Sequence, residues 1–317
     1  MKKLDWTNVV AVIAAPSAAV AVAPHVGFLH WSIDLLGCFV VQAMTALLLA
    51  AAILAAGRRW APAAISLAFA AAAFAAILPT HPPGDSSPQS GESSPGIQVA
   101  SLNLLRSNDQ GHALALEVIR EADPDLLWLT EYTPDWQRCL RGALAHLPHR
   151  LERPDLGSFG AALFSRYPLE EAQFYPGGHM WSPYGRAIAV TPHGSIGVLG
   201  VHPPPPQPNR IGVQERDAGL AAIAPLLADL PTRRIVLGDF NATPWNDAFV
   251  RMRRAAGLSL GSAASWLPSW PAPLPALLRI PIDHVLVGGD LLVAAPRLGS
   301  SFGSDHLPLV ATVQIGR

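Results

Sequence analysis

Hydrophobic positions along the 317-residue chain fall into two regimes. Before residue 80 they run almost unbroken, and three stretches, about Val9–Leu29, Leu35–Ala56 and Ala61–Leu78, approach or reach the roughly 20 apolar residues that a bilayer crossing needs. Pro16 and Pro24 interrupt the first of them. Residues 80–97 are rich in Pro, Ser and Gly and read as a linker. Beyond them apolar positions alternate or recur at helical spacing, the signature of a folded α/β body over 98–317.

In that body, 97–105 alternates as a strand with Asn103 near its end, and 109–122 reads as an amphipathic helix stopped by Asp123-Pro124. An apolar strand over 125–131 delivers Glu131 at its exit, before a turn at Thr133-Pro134-Asp135. Strands are expected at 160–165, 186–191 and 195–202. The last meets Pro203–Pro206, so His202 sits where a sheet becomes a stiff loop. Residues 209–230 read as helix, Ile235-Val236-Leu237 as a buried strand, 246–257 as helix and 259–281 as a Pro/Trp-rich loop. Strands at 282–287 and 307–313 close the chain. No internal repeat recurs at a fixed period.

Charge sharpens the division. Residues 1–80 carry only Lys2, Lys3, Asp5, Asp34, Arg58 and Arg59 as ionic groups. Basic residues favour the cytoplasmic side, and here they flank the first run and separate the second from the third. Both placements agree on one topology, with the N-terminus inside and everything after residue 80 extracytoplasmic. A cleaved signal peptide is the alternative for the first run, but two further apolar runs make a multi-pass anchor the simpler account. Residues 98–317 hold 18 Arg, no Lys and 19 acidic residues, a near balance that gives no sign of the basic stripe typical of proteins gripping long nucleic acid. Cys38 and Cys139 fall in different regions and offer no disulfide framework.

Chemistry collects at strand ends. Gly238 and Thr243-Pro244 close the strand at 235–237, so Asp239 and Asn241, two apart in extended chain, face one pocket. Asn103, Glu131, His202, Asp283, Asp305 and His306 end or begin other strands. Glu131 with Asn103 supplies the oxygen donors that Mg²⁺ prefers, and such an ion would offset charge on a phosphoryl group. Asp305 is placed to fix the tautomer of His306, and Asp283 that of His202. His284 points opposite Asp283 and reads as a core or supporting residue. Arg166 and Arg210 read as surface ion-pair partners, and Trp245, Trp266 and Trp270 as either a rim to the site or a small apolar cluster under the loop.

Leu102-Asn103, Thr130-Glu131, Gly238-Asp239-Phe240-Asn241, Ile282-Asp283-His284 and Ser304-Asp305-His306-Leu307-Pro308, in this order, resemble the endonuclease/exonuclease/phosphatase superfamily of DNase I-like enzymes. That superfamily includes nucleases, sphingomyelinases and inositol-polyphosphate phosphatases. The resemblance covers about 98–317. It implies a four-layered α/β sandwich, two mixed sheets flanked by helices, here preceded by an N-terminal bundle of about three transmembrane helices. It also implies phosphoester hydrolysis with Mg²⁺ or Mn²⁺. By position, Glu131 and Asn103 would hold the metal, Asp239 would activate water, and Asn241 and Arg186 would contact the phosphate. His306 with Asp305, and His202 with Asp283, would complete the catalytic set. Some three-span bacterial members with this layout are linked to glycopeptide resistance through lipid pyrophosphate hydrolysis.

The expectation is therefore a multi-pass cell-membrane enzyme with its catalytic domain outside, acting on a phosphorylated and lipid-linked substrate, a polyprenyl pyrophosphate or a phospholipid. A nuclease is the alternative activity, nucleic acid being possible but not favoured, and a non-catalytic sensor or scaffold the alternative class. No feature calls for a protein partner. A cysteine introduced at Ser87 is expected to react with a membrane-impermeant reagent in intact cells, and protection there would overturn the topology.

Overall fold

In a computed structural model of the chain, residues 6–78, 96–261 and 266–316 are described. The Pro/Ser/Gly-rich segment at 80–95, Ser87 included, lies outside them, whereas Gly96 and Ile97, read above as linker, already belong to the first strand.

The N-terminal part is helical: α1 (Trp6–Val26), a 3₁₀ turn at Gly27–Leu29, α2 (Trp31–Gly37), α3 (Val40–Ala56) and α4 (Trp60–Ile77). The second apolar run is thus not one straight helix. Its first residues belong to α2, which meets α3 at 63°. By length and composition two helical stretches, Val12–Leu29 and α4, can cross a membrane, and α2 with α3 makes a third when the bent pair counts as one. Small residues let these helices approach closely, with Ala21, Ala70 and Ala73 buried between them beside Val40, Val41 and Leu47.

The body alternates strands and helices: β1 (Gly96–Asn103), α5 (His112–Ala122), β2 (Leu126–Thr130), α6 (Pro134–Ala143), β3 (His149–Arg153), β4 (Ala161–Ser165), β5 (Leu169–Gly177), β6 (His179–Thr191), β7 (Gly194–Val201), α7 (Arg210–Ala221), α8 (Ile223–Leu226), β8 (Arg234–Asp239), α9 (Asp247–Ala255), β9 (Asp283–Gly288), β10 (Leu291–Leu298) and β11 (Leu309–Ile315). Six strands pair in the order β10-β11-β1-β2-β4-β3 and five in the order β5-β6-β7-β8-β9. Both sheets are mixed, with β1 parallel to β2 and β7 parallel to β8. Helices α5 and α6 cover one outer face and α7, α8 and α9 the other, giving the expected four layers.

Alternation builds three cores. Val99, Leu126, Trp128, Ile235, Leu237 and Val285 point between the sheets, while Leu102, Leu127 and Leu129 face α5 and α6, and Leu199, Val236 and Leu286 face α7 to α9. Trp128 fills the centre. Its indole N–H donates to the Val201 carbonyl at 3.2 Å across the sandwich, and glycines of the facing sheet make room for the ring. A Cβ at Gly200 would lie 2.2 Å from the ring carbons, and one at Gly185 2.6 Å.

Several elements depart from their sequence readings. Thr133-Pro134-Asp135 begins a helix, α6: the Thr133 hydroxyl caps the Trp136 N–H at 3.3 Å and Pro134 takes the first helical position. The helix expected over 209–230 splits into α7 and α8, where Pro225 interrupts regular bonding. Strands β3, β5 and β10, unread in the sequence, all lie at sheet edges, where half-exposed polar residues blur alternation.

Helical part and sandwich are joined by direct contacts rather than by a tether alone. Asp34 of α2 carries the joint. One carboxylate oxygen bonds Arg216 at 2.7 Å and the other caps the Asp247 N–H at 2.8 Å, while its carbonyl accepts from Asn246 at 3.0 Å. Trp245 donates to the Gly37 carbonyl at 2.7 Å and stacks on Trp266, so these two tryptophans form a cluster with the helices. Gln42, in the first turn of α3, donates to the carbonyls of Leu277 and Arg279 at 3.1 and 2.9 Å. A 17-residue helix is about 25 Å long, so the Arg58-Arg59 turn between α3 and α4 sits at the end of the bundle away from the sandwich.

Replacing Gly200 by Ala forces a methyl into the buried indole. It is expected to lower stability by about 1–3 kcal/mol, read as a fall in melting temperature, and an unchanged melting temperature would show that the Trp128 ring can yield.

Candidate active site

Strand direction gathers the chemistry at one edge of the sandwich. The parallel pairs β1/β2 and β7/β8 present their C-terminal ends there, and β9 and β11, antiparallel to β8 and β1, present their N-terminal ends. Asn103, Glu131, His202, Asp239, Asp283 and His306 follow from those ends. Parity turns Asn103, Asp239 and Asp283 to the inner face, in step with Val99, Leu237 and Val285.

Asp239 is the hub. Its Oδ2 accepts from Asn103 Nδ2 at 3.2 Å, bridging the two sheets, and faces His202 Nε2 and His306 Nε2, each at 3.6 Å. Its Oδ1 accepts the Asn241 backbone N–H at 2.8 Å. Asn241 takes a left-handed conformation, φ 49°, which asparagine tolerates, and its amide donates to the Pro203 carbonyl at 2.9 Å. The loop after β8 is thereby tied to the loop after β7. Glu131 also has positive φ, 54°, and its Oε2 accepts the Arg106 N–H at 2.9 Å. The Ser304 hydroxyl donates to the Asn103 carbonyl at 2.7 Å and accepts the His306 N–H at 3.0 Å, fastening the last loop to β1.

Two carboxylate–histidine pairings differ from those read in the sequence. His306 Nδ1 bonds Asp283 Oδ2 at 2.8 Å, so Asp283 fixes the ring that Asp305 was expected to fix. The neighbour in sequence points away: Asp305 accepts from the indole of Trp270 at 3.0 Å and its carbonyl from Ala272 at 2.7 Å, which pins the 266–272 loop. His202 faces Asp239 instead of pairing with Asp283, its Nδ1 having no partner among the described residues. Arg186 lies elsewhere. Strand parity puts it beside Tyr184 on the outer face, where it donates to the Leu226 carbonyl at 3.1 Å and lies over Tyr175. His284 is in the outer layer as expected, donating to the Ala242 carbonyl at 2.8 Å against Phe240 and Phe249.

Ser182, which donates to the His202 carbonyl, and Phe159, whose ring centroid is 6.0 Å from that of His202, were not singled out in the sequence, and neither stands in a motif. Asp34, which braces the loop after Asn241 through Asn246, did carry a signal: it is the one acidic residue between long apolar runs.

Electrostatics drives the two imidazoles apart. Burial alone would lower His306, but Asp283 and Asp239 outweigh it and hold the ring at about 10. Burial also lowers His202, and there it prevails over Asp239. Burial, with Asp283, raises the Asp239 carboxyl against the pull of both rings. One histidine is thus kept charged and the other neutral, beside a carboxylate made more basic, a distribution suited to proton transfer.

Asp239, Asp283 and His306 bring three potential ligand atoms within 4.8 Å of one another. Asp283 and His306 are, however, engaged with each other, which leaves a hydrogen-bonded dyad more than a ligand set. Asn103 pairs with Thr130 across β1 and β2, so it and Glu131 stand on neighbouring strand ends, and their oxygen chemistry fits a hard divalent cation.

His284 yields a pH prediction. Burial lowers its pKa from 6.5 to about 4, so its contribution to stability is complete above pH 6.5 and is lost as pH falls from 6.5 towards 4. The melting-temperature gap between the parent and His284→Gln is expected to narrow over that interval, and parallel curves would refute it.

Solved structures of the same fold include humanized D. rerio TDP2, 16% identical with a TM-score of 0.59, covering 69% of this chain and 99% of that one. A second is an endonuclease/exonuclease/phosphatase from Beutenbergia cavernae DSM 12333, 17% identical with a TM-score of 0.55, covering 70% and 72%. Dialkyldecalin synthase of Streptomyces rugosporus is 28% identical over 106 residues, 31% of this chain; the chain spans 22% of that curated relative. A profile of the Endonuclease/Exonuclease/phosphatase family matches residues 100–306, from β1 to the histidine before β11. The chain therefore belongs to the Endonuclease/Exonuclease/phosphatase family, whose enzymes hydrolyse phosphoesters and generally use divalent metals.

Proposed function

We propose that the protein is a membrane-anchored, extracytoplasmic phosphoesterase that depends on a divalent metal and hydrolyses a lipid-linked phosphoester or pyrophosphate. The observation that carries this reading is the seating of the site on the helices. Asp34, Gly37 and Gln42, at one end of the bundle, bond residues 245–247 and 277–279, next to the loops that hold Asp239, Asn241 and Asp283. With α1, α3 and α4 spanning the bilayer, the site stands at its surface on the side away from Arg58-Arg59, where the positive-inside rule puts the exterior.

Asn103 and Glu131 would hold Mg²⁺ or Mn²⁺, which would supply neutralising charge to a phosphoryl group and acidify a bound water. Asp239, made more basic by burial, orients the attacking water and takes its proton. His306 is kept as imidazolium by Asp283 and Asp239, and it donates from Nε2 to oxygen that gains negative charge in the transition state. Neutral His202 and Asn241 contact the phosphate from the other loop. Asp305 acts through Trp270 on loop position, and Asp283 acts through His306 on tautomer and charge.

The test is full-length protein in detergent with phosphomonoester, phosphodiester, pyrophosphate-lipid and DNA substrates, with Mg²⁺ or EDTA, alongside Asp239→Ala. Activity is expected to be highest on a lipid-linked substrate, to vanish in EDTA and to fall about 10²–10⁴-fold in the variant. Survival in both EDTA and the variant would overturn the metal-hydrolase reading. Preference for DNA with steep loss in added salt would establish a nuclease instead.

A further inference from the structure

The loop that carries Trp270 to Ile280 has an unusual tip. Pro273-Leu274-Pro275-Ala276-Leu277-Leu278 are six consecutive exposed residues without a charge or a polar side chain, Leu274, Leu277 and Leu278 being 40%, 48% and 51% exposed. Contiguous apolar surface of this kind marks a contact site. We propose that the tip is a membrane-insertion loop, which enters the lipid surface beside α3 and seats the mouth of the site on the bilayer. This rests on the reading of α1, α3 and α4 as membrane-spanning.

The position of the tip selects lipid as its occupant. Gln42 ties the Leu277 and Arg279 carbonyls to the first turn of α3, so the loop lies level with the end of an apolar helix. Leu36 and Phe39, at the corner between α2 and α3, are 46% and 47% exposed, and Cys38 between them packs on Ile280, Ile282 and Trp270. The apolar surface of the loop thus continues that of the anchor.

Backbone chemistry agrees. A segment entering lipid must satisfy its own polar groups. Pro273 and Pro275 have no N–H to bury. Leu274 N–H bonds the Pro271 carbonyl at 3.0 Å, Leu278 N–H that of Pro275 at 2.8 Å and Arg279 N–H that of Ala276 at 3.2 Å. The Arg279 guanidinium folds back on the Leu274 carbonyl at 2.6 Å, and the long Arg stem lets its charge stay at the interface.

The loop is also coupled to the site at both ends. Trp270 bonds Asp305 beside His306, Trp270 and Ile280 exchange backbone bonds at 3.2 and 2.6 Å, and the Ile282 carbonyl accepts from Phe240 beside Asp239. Depth of insertion therefore sets the height of the reacting groups above the lipid.

The experiment places an environment-sensitive fluorophore on Leu277→Cys in full-length protein carrying Cys38→Ala and Cys139→Ala, reconstituted in nanodiscs of phosphatidylethanolamine and phosphatidylglycerol. Leu49→Cys, exposed in α3, and Glu121→Cys, exposed on α5, serve as lipid and water references. Residue 277 is expected to show blue-shifted emission quenched by spin-labelled lipid and not by iodide, as residue 49 does. Iodide quenching at 277 with lipid quenching at 49 would overturn insertion while leaving the anchor standing. Iodide quenching at both would overturn insertion and anchor together. In parallel, Leu274→Ser, Leu277→Ser and Leu278→Ser combined are expected to lower hydrolysis of a vesicle-embedded substrate by about tenfold or more, as loss of interfacial apolar contact dictates, while hydrolysis of water-soluble bis(p-nitrophenyl) phosphate is unchanged. Equal loss on both substrates, or no loss on vesicles, would count against the loop. The fluorescence arm decides insertion whether or not the hydrolase reading holds.

Discussion

A buried arginine held by two carboxylates is the charged contact around which the two parts of this molecule meet. Arg216 of α7 has no exposed surface, and its guanidinium is held between Asp34 from the helical bundle and Asp217 at 2.7 Å each. Charges this deep are stabilising only when their geometry is nearly complete, and removing one partner from such a pair typically costs about 3–5 kcal/mol. The same carboxylate that meets Arg216 also caps α9. A seven-residue helix thereby orients a bundle, a sandwich and the loop between β8 and α9 in one stroke.

That loop begins at the strand edge where Asp239 stands. Phe240, Asn241, Ala242 and Thr243 follow Asp239, Thr243 bonds the Asn246 side chain at 2.7 and 2.9 Å, and Asn246 bonds the Asp34 carbonyl. On its other flank Ala242 is tied to His284 behind Asp283. The loop after Asp239 is therefore positioned through two short chains of hydrogen bonds. One runs to the helical bundle and the other into the outer core of the five-stranded sheet.

Much of this was legible in the sequence because the informative residues obey strand parity. Leu237 pointing inward obliges Asp239 to do the same, and Asp283 and His284 divide between faces for the same reason. What sequence could not convey was pairing across strands. Asp305 is the neighbour of His306 in the chain, yet successive side chains diverge, and Asp283, 23 residues away, is the one that reaches the ring. Arg186 was misplaced by the same logic, its position in β6 being known but not the phase of that strand. The edge strands β3, β5 and β10 escaped notice since partly exposed residues on both faces blur the alternation, and the seating of Trp245 on Gly37 depends on a contact 208 residues apart.

The order of strands in the six-stranded sheet has a temporal consequence. Strand β11 is the last strand of the sandwich in chain order, and it lies between β10 and β1, the first. The most distant segments of the domain must pair before the sheet is continuous, a long closure of the kind that slows folding. His306 sits just ahead of β11, and the Ser304 hydroxyl that steadies it bonds the Asn103 carbonyl of β1. Until β11 pairs with β1, the edge that carries Asn103 and His306 is incomplete.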